Sequence, residues 1–234
     1  MPASPGKPGK YQISQRANQL SPSGIRKFFD LLASIEGVIS LGVGEPDYAT
    51  PWHISEAAIY SLEKGMTMYT SNSGMPELRQ ELARHLKSSY GLDYDPASEL
   101  LITVGVSEAL DLAMRALINP GDEVVMPDPC YVAYDSCVIL AEGVPVRVPT
   151  HQKHNFELDA DDLEESITTR TRALLLGYPS NPTGAVMSRE SLTRIAEVAR
   201  RHRLIVISDE IYAKLVYGVE HTSVASLPTC TSSR

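Results

Sequence analysis

From Leu100 onward the chain alternates short, continuously apolar runs with amphipathic stretches. The runs LLITV (100–104), DEVVMP (122–127), VPVRVP (144–149), RALLLGYP (172–179) and LIVISD (204–209) predict strands. Between them SEALDLAMRALI, YVAYDSCVILAEG, a short piece around DADDLEESI, and SRESLTRIAEVARRHR predict helices. Strands that are apolar on both faces and joined by helices imply an α/β fold: a mostly parallel sheet with a helical layer on each side, three layers in all. Such a fold binds its ligand beyond the carboxyl ends of its strands. Upstream, HISEAAIYSLEKG and MPELRQELARHLKSSYG have apolar positions at helical spacing, the second with Pro76 in its first turn and Gly91 at its end. Residues 1–24 are polar and rich in Pro, Gly and Ser, an arm or a disordered tail leading to a short helix near IRKFFDLLASI.

Four stretches fall where this fold would place a ligand. In LLITVGVSEAL the strand is expected to end at Val104, Gly105 to allow a tight turn, and Ser107 to cap the next helix, whose N–H groups suit either a phosphate or simple capping. In PSNPTG, Asn181 sits in a rigid turn after a strand, and Tyr131 in PDPCYVAY either stacks on a flat ligand or fills core. Asp209 follows a mostly apolar run at a strand's carboxyl end, where a carboxylate is costly unless exposed or paired. A cationic ring nitrogen would be a suitable partner, and Tyr212 could bond a phenolate-like oxygen on the same ring. His151 and His154 lie in a polar stretch between elements, as surface histidines do, and the acidic cluster at 161–165 marks a solvated helix start.

Composition narrows the classes. A formal charge of −8 gives no electrostatic case for nucleic acid or an anionic membrane as partner. The three cysteines form no CxxC pair, the first ten residues carry no apolar stretch, and no apolar run is long enough to span a bilayer, so a reducing cytoplasm is the expected compartment.

GVGEPD (42–47), YTSNSGMPELR (69–79), PGDEV (120–124), PSNPTG (179–184) and SDEIY (208–212) together resemble the class I/II aminotransferases, the fold-type I enzymes that use pyridoxal 5'-phosphate (PLP). The resemblance runs from about residue 14 to Pro228. It implies an N-terminal arm (1–24), the first part of a small domain with its linker (25–70), an incomplete PLP-binding large domain (71–228) and a tail outside the family pattern (229–234). It further implies that Ser107 and the N–H groups of Val106 to Glu108 hold the cofactor phosphate and that Tyr131 stacks on the pyridine ring. Asn181 and Tyr212 would bond the ring's 3-oxygen, Asp209 would face the ring nitrogen, and Gly44 would lie near the substrate carboxylate. Tyr69 would reach the phosphate of a neighbouring subunit, making the active site the property of a homodimer. The implied reaction moves an amino group between an amino acid and a 2-oxo acid; a carbon–sulfur lyase is the alternative chemistry on the same scaffold.

The sequence departs from that pattern after SVASLP (223–228), where the lysine-bearing segment and the substrate-binding arginine would follow. No catalytic lysine is therefore assigned. Of the seven lysines only Lys214 is near the site in sequence, and its polar turn points it to solvent. The expectation for the chain itself is inactivity, with a non-catalytic dimerisation or regulatory module as the alternative role. In the family's sheet, later strands flank the first one. LLITV should thus stand apart from the other four strands, splitting the phosphate loop from Asp209 and leaving open sheet edges and poor solubility.

Overall fold

Glu123, Thr171 and Ile205 each open a parallel strand, and the runs that follow are apolar on both faces. A computed structural model describes residues 13–20, 44 and 48–228. Strands β1 (Glu123–Asp128), β2 (Val144–Pro149), β3 (Thr171–Gly177) and β4 (Ile205–Asp209) form one all-parallel sheet in the order β2-β1-β3-β4. Seven α-helices are described: α1 (Gln15–Gln19), α2 (Trp52–Glu63), α3 (Pro76–Tyr90), α4 (Gly105–Leu117), α5 (Ala133–Leu140), α6 (Ala160–Ser166) and α7 (Arg189–Arg201).

The pleat sends alternate residues to opposite faces, and the central strands β1 and β3 are buried on both. Val124, Met126, Ala173 and Leu175 pack against Leu110 and Met114 of α4 and Tyr134 and Val138 of α5. Their neighbours Val125, Leu174 and Leu176 pack against Leu163 of α6 and Leu192, Ile195 and Ala196 of α7. The two ends of α3 follow the predicted chemistry. Pro76 opens α3, and Gly91, in the left-handed region at φ 70°, closes it by donating to Lys87 O at 3.0 Å. Asp159 and Ser188 cap α6 and α7 by accepting from Asp161 N and Ser191 N.

One expected strand does not form. Residues 101–103 are outside any ladder, with no strand beside them among the described residues. Ile102 instead donates its N–H to Ser73 O at 3.1 Å and presses its side chain against Gly74, where a Cβ would overlap it. Part of the arm is also structured: in α1, Arg16 pairs with Glu142 at 3.0 Å. The helix expected near 25–35 and the tail 229–234 lie outside the described residues. Of the described residues, 13–19 and 73–228 belong to one compact unit and 20, 44 and 48–72 to a second, which contains α2. Among the described residues no helix is long and apolar enough to cross a membrane.

The start of β1 carries a buried carboxylate. Glu123, only 4% exposed, accepts from Thr168 Oγ1 at 2.5 Å, from Thr171 Oγ1 at 3.3 Å and from the Arg170 guanidinium. Thr168 first, with Arg170, holds its carboxyl below the ordinary range despite burial. A carboxyl depressed in the folded state adds stability above its unfolded pKa and withdraws it as the pH falls. Urea midpoints measured against pH should therefore drop less steeply for Glu123→Gln than for the parent between about pH 5 and about pH 3. Equal acid slopes would remove Glu123 from the account.

Candidate active site

All four strands run in one direction, so the loops after β1, β3 and β4 emerge at one edge of the sheet. There a cavity of about 190 Å³ is lined by Val106, Ser107, Tyr131, Tyr134, Pro179, Asn181, Asp209, Ile211 and Tyr212. Six of the residues singled out from sequence thus share one cavity: Val106, Ser107, Tyr131, Asn181, Asp209 and Tyr212. The expected separation of the phosphate loop from Asp209 does not occur. Leu110 and Met114 of α4 pack on the same sheet face as Tyr134, which brings the start of α4 to the strand ends without a strand at 100–104.

Asp209 ends β4 with its carboxylate held on both oxygens. Tyr134 Oη donates to Oδ2 at 2.8 Å, and the Ile211 N–H donates to Oδ1 at 3.2 Å. Tyr134 comes from α5, across β3, and its path is opened by Gly177, which lies opposite Asp209 in the β3–β4 register. A Cβ on Gly177 would run into the Tyr134 hydroxyl and lie 3.0 Å from its Cε2. Burial, reinforced by the Asp209 charge, pushes the Tyr134 phenol far above its ordinary value, so it remains a donor. Tyr131 meets the Tyr134 ring edge to face, centroids 5.7 Å apart at 85°, and is itself 38% exposed toward the cavity. Beside it, burial pushes the Cys130 thiol up to about 11.

The start of α4 differs in detail from expectation. Val104 is the cap residue, no side chain caps the helix, and Ser107 lies in its first turn. The early N–H groups of a helix lack intrahelical partners, so those of Val106 and Ser107 are donors for an anion. Glu108 is outside the cavity lining, and its carboxylate accepts from Val104 N. Asn181 is exposed in a turn with cis bonds at Tyr178–Pro179 and Asn181–Pro182. Lys214 is exposed, absent from the cavity lining, and stands over the Tyr90 ring at 5.6 Å. Tyr69 and Gly44 belong to the second unit; Tyr69 is fully exposed, and among the described residues nothing lies within 4 Å of where a Gly44 Cβ would be.

Tyr134 is not singled out by sequence pattern, which predicts only a helix over YVAYDSCVILAEG. The signal was there: tyrosines three apart meet on a helical turn.

This sheet with helices on both faces matches the large domain of PLP-dependent transferases. The chain belongs to the class I and II aminotransferase family, whose model ("Aminotransferase class I and II") matches residues 36–231. It is 54% identical to the protein YugH of Bacillus subtilis (strain 168) over 92% of this chain and 56% of that protein. It is 45% identical to aromatic-amino-acid aminotransferase 2 of Thermococcus litoralis, again over 92% of this chain and 56% of the relative. A solved aspartate aminotransferase of Thermus thermophilus, bound to maleate, superposes with a TM-score of 0.87 at 37% identity, covering 92% of this chain and 57% of that one. The chain thus spans a little over half the length of the relatives it matches.

Gly177→Ala should lower stability by about 1–3 kcal/mol, the usual cost of overpacking. Adding Tyr134→Phe should return part of that loss, because the new methyl meets the hydroxyl. Thermal melts of the two single variants and the double variant check this; strictly additive losses would show that the two side chains do not compete for the same space.

Proposed function

We propose that this cavity holds pyridoxal 5'-phosphate, and that the family-length protein transfers an amino group between an amino acid and a 2-oxo acid. The observation carrying the reading is Asp209: an oriented carboxylate facing the same small cavity as an aromatic ring, an amide, a phenol and a helix start. The side chains present suit three of the cofactor's polar points, the ring nitrogen, the 3-oxygen and the phosphate. Asp209 would keep a proton on the ring nitrogen, Asn181 and Tyr212 would bond the 3-oxygen, and Tyr131 would cover a ring face. Val106 and Ser107 would receive the phosphate, with Glu108 closing the first turn behind them. When bound, the cofactor supplies an electron sink, which is strongest when its ring nitrogen is protonated.

Gly44 is read as the contact to the substrate carboxylate and Tyr69 as the contact to a neighbouring subunit's phosphate, which makes a homodimer the working assembly; the cysteine pattern keeps the cytoplasm as the compartment read for it. Within the described residues no lysine lines the cavity, so the activity read for this chain is holding the cofactor without turnover. A carbon–sulfur lyase would use the same residues, since the reaction is decided on the substrate side. The relatives' names differ in substrate, aromatic amino acids for the Thermococcus litoralis protein and aspartate for the Thermus thermophilus one.

Equilibrium dialysis of the 234-residue chain with PLP tests the reading. The parent should bind one equivalent, and Asp209→Asn should weaken binding by about tenfold or more, the loss of a charge-assisted hydrogen bond. After borohydride treatment Lys214 should carry no cofactor. A parent that does not bind, or an adduct on Lys214, would overturn the assignment.

A further inference from the structure

The loop 129–132 carries Tyr131 into the cavity and leads into the turn bearing Tyr134. It leaves β1 at Asp128 and enters α5 before Asp135, and one side chain from outside the site grips both ends. Arg147, on β2, sends Nη1 to Asp128 Oδ1 at 2.7 Å, while Nε donates to Asp135 Oδ1 at 3.3 Å and Nη2 bonds the other Asp135 oxygen. The Asp135 end is a two-point fork, a geometry a planar guanidinium provides and an ammonium does not. We propose that Arg147 is a positioning residue for the cofactor-facing tyrosines: by bridging Asp128 and Asp135 it fixes the loop that presents Tyr131 and, through Tyr134, orients Asp209.

Three observations carry this. Arg147 is opposite Met126 in the β1–β2 register, one strand away from the strand ends that form the cavity, and does not line it. Inside the span it closes, a 3.1 Å bond from Tyr134 N to Tyr131 O and the edge-to-face ring pair tie the two tyrosines together. Arg147, Asp128 and Asp135 have side chains 43%, 41% and 26% exposed, so the network adds little to global stability and its effect falls on the loop.

The inference rests on the cavity being the cofactor site, and the test separates the two. In the unliganded 234-residue chain, hydrogen exchange should accelerate selectively at 130–134 in Arg147→Met, about fivefold, while β1 and β3 keep their protection. PLP affinity should fall about fivefold in Arg147→Met, and Arg147→Lys should restore only part of it. In a Tyr131→Ala/Tyr134→Phe background the same Arg147→Met change should alter affinity less than about twofold, since both side chains it acts through are gone. Exchange that is unchanged at 130–134, or raised uniformly across the sheet, overturns the proposal. Equal affinity of the parent and Arg147→Met overturns it too. If the parent binds no PLP, the cofactor reading fails, and the exchange result decides the positioning role by itself.

Discussion

The hydrogen bond from Tyr134 to Asp209 is the constraint around which this site is built. It crosses three elements: a helix supplies the phenol, a neighbouring strand ends in a glycine that lets it pass, and the next strand ends in the carboxylate that receives it. A carboxylate at the mouth of an apolar sheet is costly unless its oxygens are engaged, and here each has a donor. The aromatic contact with Tyr131 and the close fit of Gly177 follow from where that phenol must lie.

Much of this was legible in the sequence because it depends on short-range pattern. Four apolar runs became the four parallel strands, and Pro76 and Gly91 act at the two ends of α3 where such residues belong. Asp209 stood out as a carboxylate after an apolar run. LLITV failed as a strand because a strand is a pairwise object: its apolarity was read correctly, but its hydrogen bonds need a neighbour, and Ile102 found Ser73 instead. Ser107 was placed as a cap on that assumption, and the helix in fact begins two residues before it, at Gly105.

The remaining features were hidden because they join residues that are remote along the chain. Tyr134 and Asp209 are 75 positions apart, and Arg147 meets Asp128 across 19. Composition says nothing of such meetings, and a glycine at the end of an apolar run gives no hint that its missing side chain leaves room for a tyrosine from another layer. The register between β3 and β4 supplies that meaning.

The attachment of α4 has a consequence for how the two ends of the cavity communicate. Asp209 is fixed by a strand ladder, whereas the helix start bearing Val106 and Ser107 reaches the same cavity through the side-chain packing of Leu110 and Met114 on the sheet. Dispersion forces resist separation but specify position less sharply than a ladder does. An anion bridging to that helix start would then act as a clamp, drawing helix and sheet together, and by linkage its binding energy would become packing energy. Ligand capture and core consolidation at this edge would be a single event.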